Sequence, residues 1–387
     1  MHSRTSFHPG SKFCVSLVNL ALALVLLPSV ASAQNWGRPT TSSPIAVSPT
    51  DRLIWAVNPS DDSVSVIRPD NNTQLAKISV GDEPQAVALT PDNKLAYIAN
   101  AAGNSVSIIR INDPAWGAFS ASVIATLTTG AEPWNVAVSP DGRRAFVANS
   151  MQDTITVINT ADQTIIGHVD LRNTPGADVD FHRHFQPRGL AVTADSSKLY
   201  VTRFLSKTRA GGRQGEDFGK EGMVIVVNIN TALTTMAGYQ PTRAIRLAPQ
   251  VTGFKFPGLT ADTGAFPNQM QSIVIRGSRA YLPNIAASPS GPLRFNLDTH
   301  AFVNQIGEVN TTSPTDLGAL NLHLGARDPE PGKIRSFFAN PWAVEFTTQS
   351  GAGAAYVVSA GSDLLVKRNR PAEPSYAEWG WRGRMAG

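Results

Sequence analysis

Gly81-Asp82-Glu83-Pro84-Gln85-Ala86-Val87-Ala88-Leu89-Thr90-Pro91-Asp92 leads into Ala96-Tyr97-Ile98-Ala99-Asn100 and then Asn104-Ser105-Val106-Ser107-Ile108-Ile109. The same order returns as Gly130-Ala131-Glu132-Pro133-Trp134-Asn135-Val136-Ala137-Val138-Ser139-Pro140-Asp141-Gly142, Ala145-Phe146-Val147-Ala148-Asn149 and Asp153-Thr154-Ile155-Thr156-Val157-Ile158. Internal repetition on this scale decides the architecture before any local propensity does, because each unit needs its neighbours to bury its apolar faces. An earlier copy begins at Pro44 and passes through Trp55-Ala56-Val57-Asn58 and Ser63-Val64-Ser65-Val66-Ile67. Degenerate copies begin at Pro187, Pro267 and Pro341. Alternating apolar residues mark pleated strands. Pro-Asp-Asn and Pro-Asp-Gly mark tight turns, since proline presets φ and aspartate bonds the following backbone.

The six blade-start prolines lie 40, 49, 54, 80 and 74 residues apart, yet each stands 14 to 18 residues before its Asn-type position. The unit is constant and the connections grow. A four-stranded unit repeated in this way, with no helical periodicity between copies, predicts an all-β fold: a β-propeller of four-stranded blades. A β-solenoid is the competing fold, but its repeats are shorter and more uniform. Ser362-Asp363-Leu364-Leu365-Val366-Lys367 fits the third strand of a sixth unit, after which the rhythm stops. The propeller is therefore expected over 34–367, with a non-repeat, disordered tail over 368–387.

Tyr97-Ile98-Ala99-Asn100 and Phe146-Val147-Ala148-Asn149, each preceded by a Pro-Asp turn and followed by alternating Val/Ile, resemble the YVTN family of propeller repeats found in surface-layer and exported proteins. The wider superfamily includes lactonase-type and nitrous-oxide-reductase-type propellers and the haem d1 domain. Because such propellers usually close with seven blades, the resemblance implies a truncated seven-bladed ring. It implies a fold and not a chemistry.

The chain has 387 residues, 42% hydrophobic and 16% charged, a globular composition too poor in charge for a solvated helical bundle. Its formal charge of +4 comes from the ends. Setting aside Arg4 and Lys12 at the start, and Arg368, Arg370, Arg382 and Arg384 with Glu373 and Glu378 at the end, leaves 34–367 neutral, which gives no footprint for nucleic acid. Residues 1–33 read as a secretory signal. Arg4 and Lys12 precede the apolar run Phe13 to Leu27, which is too short for a membrane span, and Ala31-Ser32-Ala33 is an A-x-A cleavage site. A periplasmic or extracellular product beginning at Gln34 is expected. The one cysteine, Cys14, lies inside the signal, so disulfides, thiolate zinc sites and C-x-x-C-H haem attachment are excluded from the product.

Strand order places the loops between blades, and those joining second to third strands, on one face. Three long connections between blades, Arg172–Gln186, Ala248–Phe266 and Gly307–Asn340, fall there with the second-to-third connection Phe204–Gly222; only Asn112–Ala121 is a notable insertion opposite. Long loops on a rigid scaffold are where function is built. The contact residues expected on this face are Asp180, His182, His184, Arg188, Arg203 and His323. His182 and His184 at i, i+2 would place both rings on one side of an extended strand, so any metal would sit there, although H-x-H alone is a weak signal. His168 is assigned to an outer strand and His300 to a turn on the opposite face. Trp134 and Trp342 follow blade-start prolines and are assigned to packing between blades. The recurring Asn58, Asn100, Asn149 and Asn284 are read as structural, satisfying the turn into the third strand. Phe204–Gly222, with Lys207, Arg209 and Arg213 among glycines, reads as a mobile exposed loop. The function expected is binding of a protein partner, including a redox partner, or a small molecule, without catalysis and without a cofactor. The alternative is a lactonase-type hydrolase or a metal- or haem-dependent propeller enzyme, with His182 or His184 as axial ligand in the haem case.

Overall fold

The computed structural model describes residues 38–113, 118–177, 184–255, 258, 260–290, 299–325, 337–349 and 351–370. The signal, the cleavage point and the tail beyond 370 lie outside these residues, as do Asp180 and His182.

Six antiparallel sheets follow one another along the chain. Blade one is Ile45–Val47, Ile54–Asn58, Ser63–Arg68 and Thr73–Ser79; blade two is Pro84–Leu89, Leu95–Asn100, Ser105–Asn112 and Ser120–Thr128. Blade three is Pro133–Val138, Arg144–Asn149, Thr154–Asn159 and Thr164–Asp170; blade four is Pro187–Val192, Lys198–Arg203, Lys220–Ile229 and Tyr239–Leu247. Blade five has a divided inner strand, Asp262–Asn268 and Val274–Arg276, against Arg279–Ala287, Thr299–Gly307 and Thr315–Asn321. Blade six shows Pro341–Phe346, Gly353–Ser359 and Leu364–Arg370. The all-β propeller is thus realised with six blades among the described residues.

The first hairpin of each early blade is closed by a repeated hydroxyl-and-carboxylate turn. Thr90, Ser139 and Thr193 each reach a carboxylate two residues on (Asp92, Asp141, Asp195) at 2.6 to 2.7 Å. The same hydroxyls, with Ser48, accept the backbone N–H of Leu95, Arg144, Lys198 and Leu53, all at 3.0 Å. Asp51, Asn93, Gly142 and Ser196 take the left-handed position that such turns require. A second lock joins consecutive blades. Asp62, Asn104 and Asp153 accept, at 2.9 Å, the backbone N–H of Glu83, Glu132 and Gln186, which stand just before the next blade's proline with positive φ.

The recurring asparagines are structural, although their partners are hydroxyls of the third strand and not the turn backbone. Nδ2 of Asn58, Asn100 and Asn149 donates to Ser63 and Ser65, Ser105 and Ser107, and Thr154 and Thr156 respectively. This explains the glycine that opens the repeat. A Cβ on Gly81 would lie 2.6 Å from Asn100 Nδ2, and one on Gly130 would lie 2.7 Å from Asn149 Cγ.

Apolar cores lie between blades. Trp55 and Ile98 belong to the core between blades one and two, Tyr97 and Val147 to the next, Phe146 and Leu190 to that between three and four, Tyr200 and Leu282 to that between four and five, and Tyr281 and Val357 to the last. Among the described residues no such core joins blade six to blade one. Ile45 and Val47 are left 54% and 56% exposed on one side of that boundary, and Val358 and Leu365 are exposed on the other. The centre of the ring is also not empty. Thr40–Thr41 pairs with the inner strand of blade four, Thr40 bonds the Val138 carbonyl of blade three, and Ser43 accepts the Val87 N–H of blade two.

Among the described residues no helix is long and apolar enough to cross a membrane.

Candidate functional site at the channel mouth

Chain direction fixes which ends of the blades share a face. Each inner strand starts at its proline on the face that also carries the second-to-third connections, and the fourth strand returns there. The long connections that leave Asp170, Arg203, Leu247 and Asn321 open from strand ends on this face, as does the one after Ala287, which the sequence reading did not single out. The connection before blade six begins at Leu322 and not near Gly307, because Thr315–Asn321 is the fourth strand of blade five. His300, placed by sequence on the opposite face, stands here too, at the start of the third strand of blade five against Ala286.

At this face the inner strands of blades two, three, four and six share an irregularity. The ladder slips between Pro84 and Ala86, Pro133 and Asn135, Pro187 and Leu190, and Pro341 and Ala343. A β-bulge releases a residue from the pleat and re-aims its side chain. The residues released are Gln85, Trp134, Arg188 and Trp342, each at the start of an inner strand, and Trp134, assigned by sequence to packing between blades, stacks on Arg188 of blade four. Gln271 occupies the matching place in blade five, because Gln269 carries the positive φ that elsewhere precedes the proline. The inner strand there is accordingly Val274–Arg276, and Pro267 lies on the preceding segment Asp262–Asn268.

Arg188 dominates the rim. Only 8% of it is exposed, and its guanidinium lies over the Trp134 ring, 3.4 Å from the centroid, with Phe204 at 4.7 Å on its far margin. Nη2 reaches Glu132 at 3.4 Å, while Nε and Nη1 are buried without a hydrogen-bond partner. A long contact to a carboxylate that is itself one-third exposed contributes at most about 1 kcal/mol. Cation–π contact adds roughly 1–2 kcal/mol. Neither replaces the water removed from two N–H donors. Burial accordingly pulls the pKa of Arg188 down to about 10, with Glu132 acting in the opposite sense.

Arg203, the register partner of Pro187, is buried beside this group and donates Nη2 to the His184 carbonyl at 3.0 Å. The His184 ring is solvent-exposed and bonds Asp153 Oδ2 at 3.2 Å through Nδ1. Asp153 is the carboxylate of the inter-blade lock. The structure thus brings together Arg188, Arg203 and His184. His323 belongs to a different group, an aromatic cluster of buried His300 (centroids 5.7 Å apart) and Phe338 with the exposed Phe337, where its Nε2 accepts the Phe338 N–H at 2.9 Å. Among the described residues no group of three or more His, Cys, Asp or Glu is placed to hold a metal ion.

The channel is filled just below the rim. Ser42 bonds Leu190 through both backbone and hydroxyl, and Leu190 stands two strand residues below Arg188, about 7 Å. Residues 40–43 therefore lie against the inner strands of blades two, three and four beneath the mouth. The loop 204–222, expected to be mobile, is tied into its wall. Buried Asp217 accepts the N–H groups of Gly264 and Ser290 at 3.0 and 2.7 Å, and Lys207 pairs with Glu221.

No protein-family model matches the sequence, and neither does any curated protein. Solved structures match in shape. Hydrazine synthase of Kuenenia stuttgartiensis is 16% identical with a TM-score of 0.58, over 84% of this chain and 77% of that one. The periplasmic gluconolactonase of Pseudomonas aeruginosa is 15% identical with a TM-score of 0.54, over 89% and 84%. The Swd1 β-propeller domain of Myceliophteria thermophila is 9% identical with a TM-score of 0.53, over 85% and 83%. Over the described residues the chain is a six-bladed β-propeller. At these identities the likeness is one of fold, and it includes an enzyme as well as a propeller domain of another kind.

Proposed function

We propose that the chain is an exported, non-catalytic binding propeller of YVTN type. It takes a protein partner or a small ligand at the mouth of its loop-rich face. The observation that carries this reading is the Arg188 guanidinium, lying against the Trp134 and Phe204 rings at that mouth with two buried donors unused. A scaffold that buries a cation and leaves its donors unmet is built for an acceptor that arrives from outside.

The test uses a photo-crosslinking phenylalanine analogue at Phe218, exposed on the loop-rich face, and at Asn71, exposed on the opposite one. Cross-links to a discrete species are expected only from position 218 in intact cells, with the adduct identified by mass and re-formed from purified components. Equal yields from both positions overturn the reading. Intact mass of the exported protein checks cleavage after Ala33.

A second reading is favoured by one pair, the exposed His184 ring held by buried Asp153. This is the arrangement of a general base with its orienting carboxylate. The same Asp153 position is filled by Asp62 and Asn104 in blades without such a histidine, which favours a structural role. Lactone hydrolysis that disappears in His184→Ala while binding persists would establish the catalytic reading.

A further inference from the structure

We infer that the mouth binds a carboxylate bearing a hydrogen-bond donor on the adjacent carbon, with the carboxylate on Arg188 and the donor on the amide of Gln271. This rests on the reading that the loop-rich face is the binding face and names the chemistry it selects.

Two unmet polar groups leave neighbouring strands there. Nε and Nη1 of Arg188 are donors without acceptors, and Oε1 of Gln271 is a buried acceptor without a donor. Both residues are 8% exposed. Their neighbours in sequence touch: a Cβ on Gly189 would lie 2.9 Å from the Ser272 Cα, and Thr202 Oγ1 bridges the Gly189 N–H to the Met270 carbonyl at 2.8 Å on each side. The two side chains therefore leave the rim from strands packed backbone to backbone. An anion alone would meet one edge of the Arg188 guanidinium, because Nε–H and the Nη1 hydrogens lie on different edges, and would leave Gln271 unmet; a neutral alcohol would do the reverse. An acid with an α-hydroxyl, an α-amine or an α-amide N–H engages both residues. The Trp134 and Phe204 faces fix the plane of the guanidinium, and the planar carboxylate is the acceptor that matches it. Residues 40–43 lie beneath the mouth with Ser42 bonded to Leu190, which favours a small free acid or the terminal carboxylate of a longer chain entering end-on.

Isothermal titration calorimetry at constant ionic strength with four probes tests this. Glycolate stands for a free hydroxy acid and N-acetylglycine for a peptide C-terminus; propionate lacks the donor and methyl glycolate lacks the charge. Saturable binding is expected for glycolate or N-acetylglycine, and the tighter of the two identifies the source. Propionate should bind about tenfold more weakly and methyl glycolate not measurably, since one hydrogen bond to a charged or buried group is worth roughly that factor. Arg188→Met should weaken binding by tenfold or more. Should that variant not fold, Arg188→Lys keeps the charge but not the planar donors and should give the same loss. Gln271→Leu should erase the preference for glycolate over propionate. No saturable heat from either acid, or equal affinity for glycolate and its ester, overturns the inference. Loss of the acid site with position-218 cross-links intact would leave the face assignment standing, whereas loss of both would remove it.

Discussion

Replacing Gly130 with alanine loads not the lock between blades but a different one, which Asn149 forms with Thr154 and Thr156 inside blade three. The new Cβ would stand 2.7 Å from both Cγ and Nδ2 of Asn149, and would also meet Gln152 Oε1. Ordinary contact begins near 3.4 Å, so Asn149 must retreat by about 0.7 Å. It has nowhere to go, being fully buried with Nδ2 held by Thr154 at 2.9 Å and Thr156 at 2.8 Å. Losing or stretching two hydrogen bonds at about 1 kcal/mol each, with overpacking of about 1–2 kcal/mol, gives a cost of about 2–4 kcal/mol. Urea unfolding followed by tryptophan fluorescence measures it, provided the transition is two-state. Gly176→Ala is the control, because φ is +77° there with nothing within 4 Å, so only the backbone term of about 1 kcal/mol applies. In an Asn149→Ser background the cost of Gly130→Ala should fall by at least about 1 kcal/mol, as the obstructing amide is gone. A Gly130→Ala cost below about 0.5 kcal/mol, or one unchanged by Asn149→Ser, would refute the lock.

Tyr97→Phe should stabilise by about 1 kcal/mol in the same assay, because the Tyr97 hydroxyl is buried without a partner. Burial raises the pKa of Tyr97, and of Tyr200, above the ordinary value of 10.0. Stability from these groups is present in full below pH 10 and is lost as pH rises beyond it, so Tyr97→Phe should blunt the alkaline loss. Arg188 works in the opposite sense above its pKa of about 10 and offsets part of that loss. Ser42→Ala removes the hydroxyl that accepts the Leu190 N–H beneath the mouth and should cost about 1–2 kcal/mol, read by urea unfolding. Val47→Thr with Leu365→Gln should change stability by less than about 0.5 kcal/mol, because both side chains are exposed at the boundary between blades one and six; a larger loss would mean that those faces pack together.

The propeller was legible because its signals are local and repeated. The Ser/Thr-Pro-Asp turns, the alternating strands and the glycine ahead of each Glu-Pro recur in the quoted copies, and each has one physical cause. The face of the insertions followed from strand order alone. The rim was less legible. A bulge after the blade-start proline leaves no residue signature, so the Arg188–Trp134 stack was not foreseen, and Gln271 was hidden by a proline three residues too early in blade five. Arg188, Arg203 and His184 were chosen for their chemistry on a polar loop. His323 was chosen on the same ground, yet it serves a separate aromatic cluster. The segment 40–43 carries no repeat pattern, and its place in the channel depends on long-range pairing with blade four. His300 was misplaced because the third strand of blade five is Thr299–Gly307, so the residue opens that strand at the second-to-third connection and does not stand in a third-to-fourth turn.

The account turns on Arg188 presenting unused donors to an incoming acid, and the N–H signals of its side chain report this directly. In two-dimensional spectra of protein labelled with nitrogen-15 arginine, assigned through Arg188→Lys, added glycolate should shift the Arg188 Nε–H resonance and slow its exchange with water. Arg143, in the opposite-face turn, should not move. An Arg188 resonance that is unchanged by glycolate and N-acetylglycine alike, or shifts spread evenly over both faces, would contradict the account.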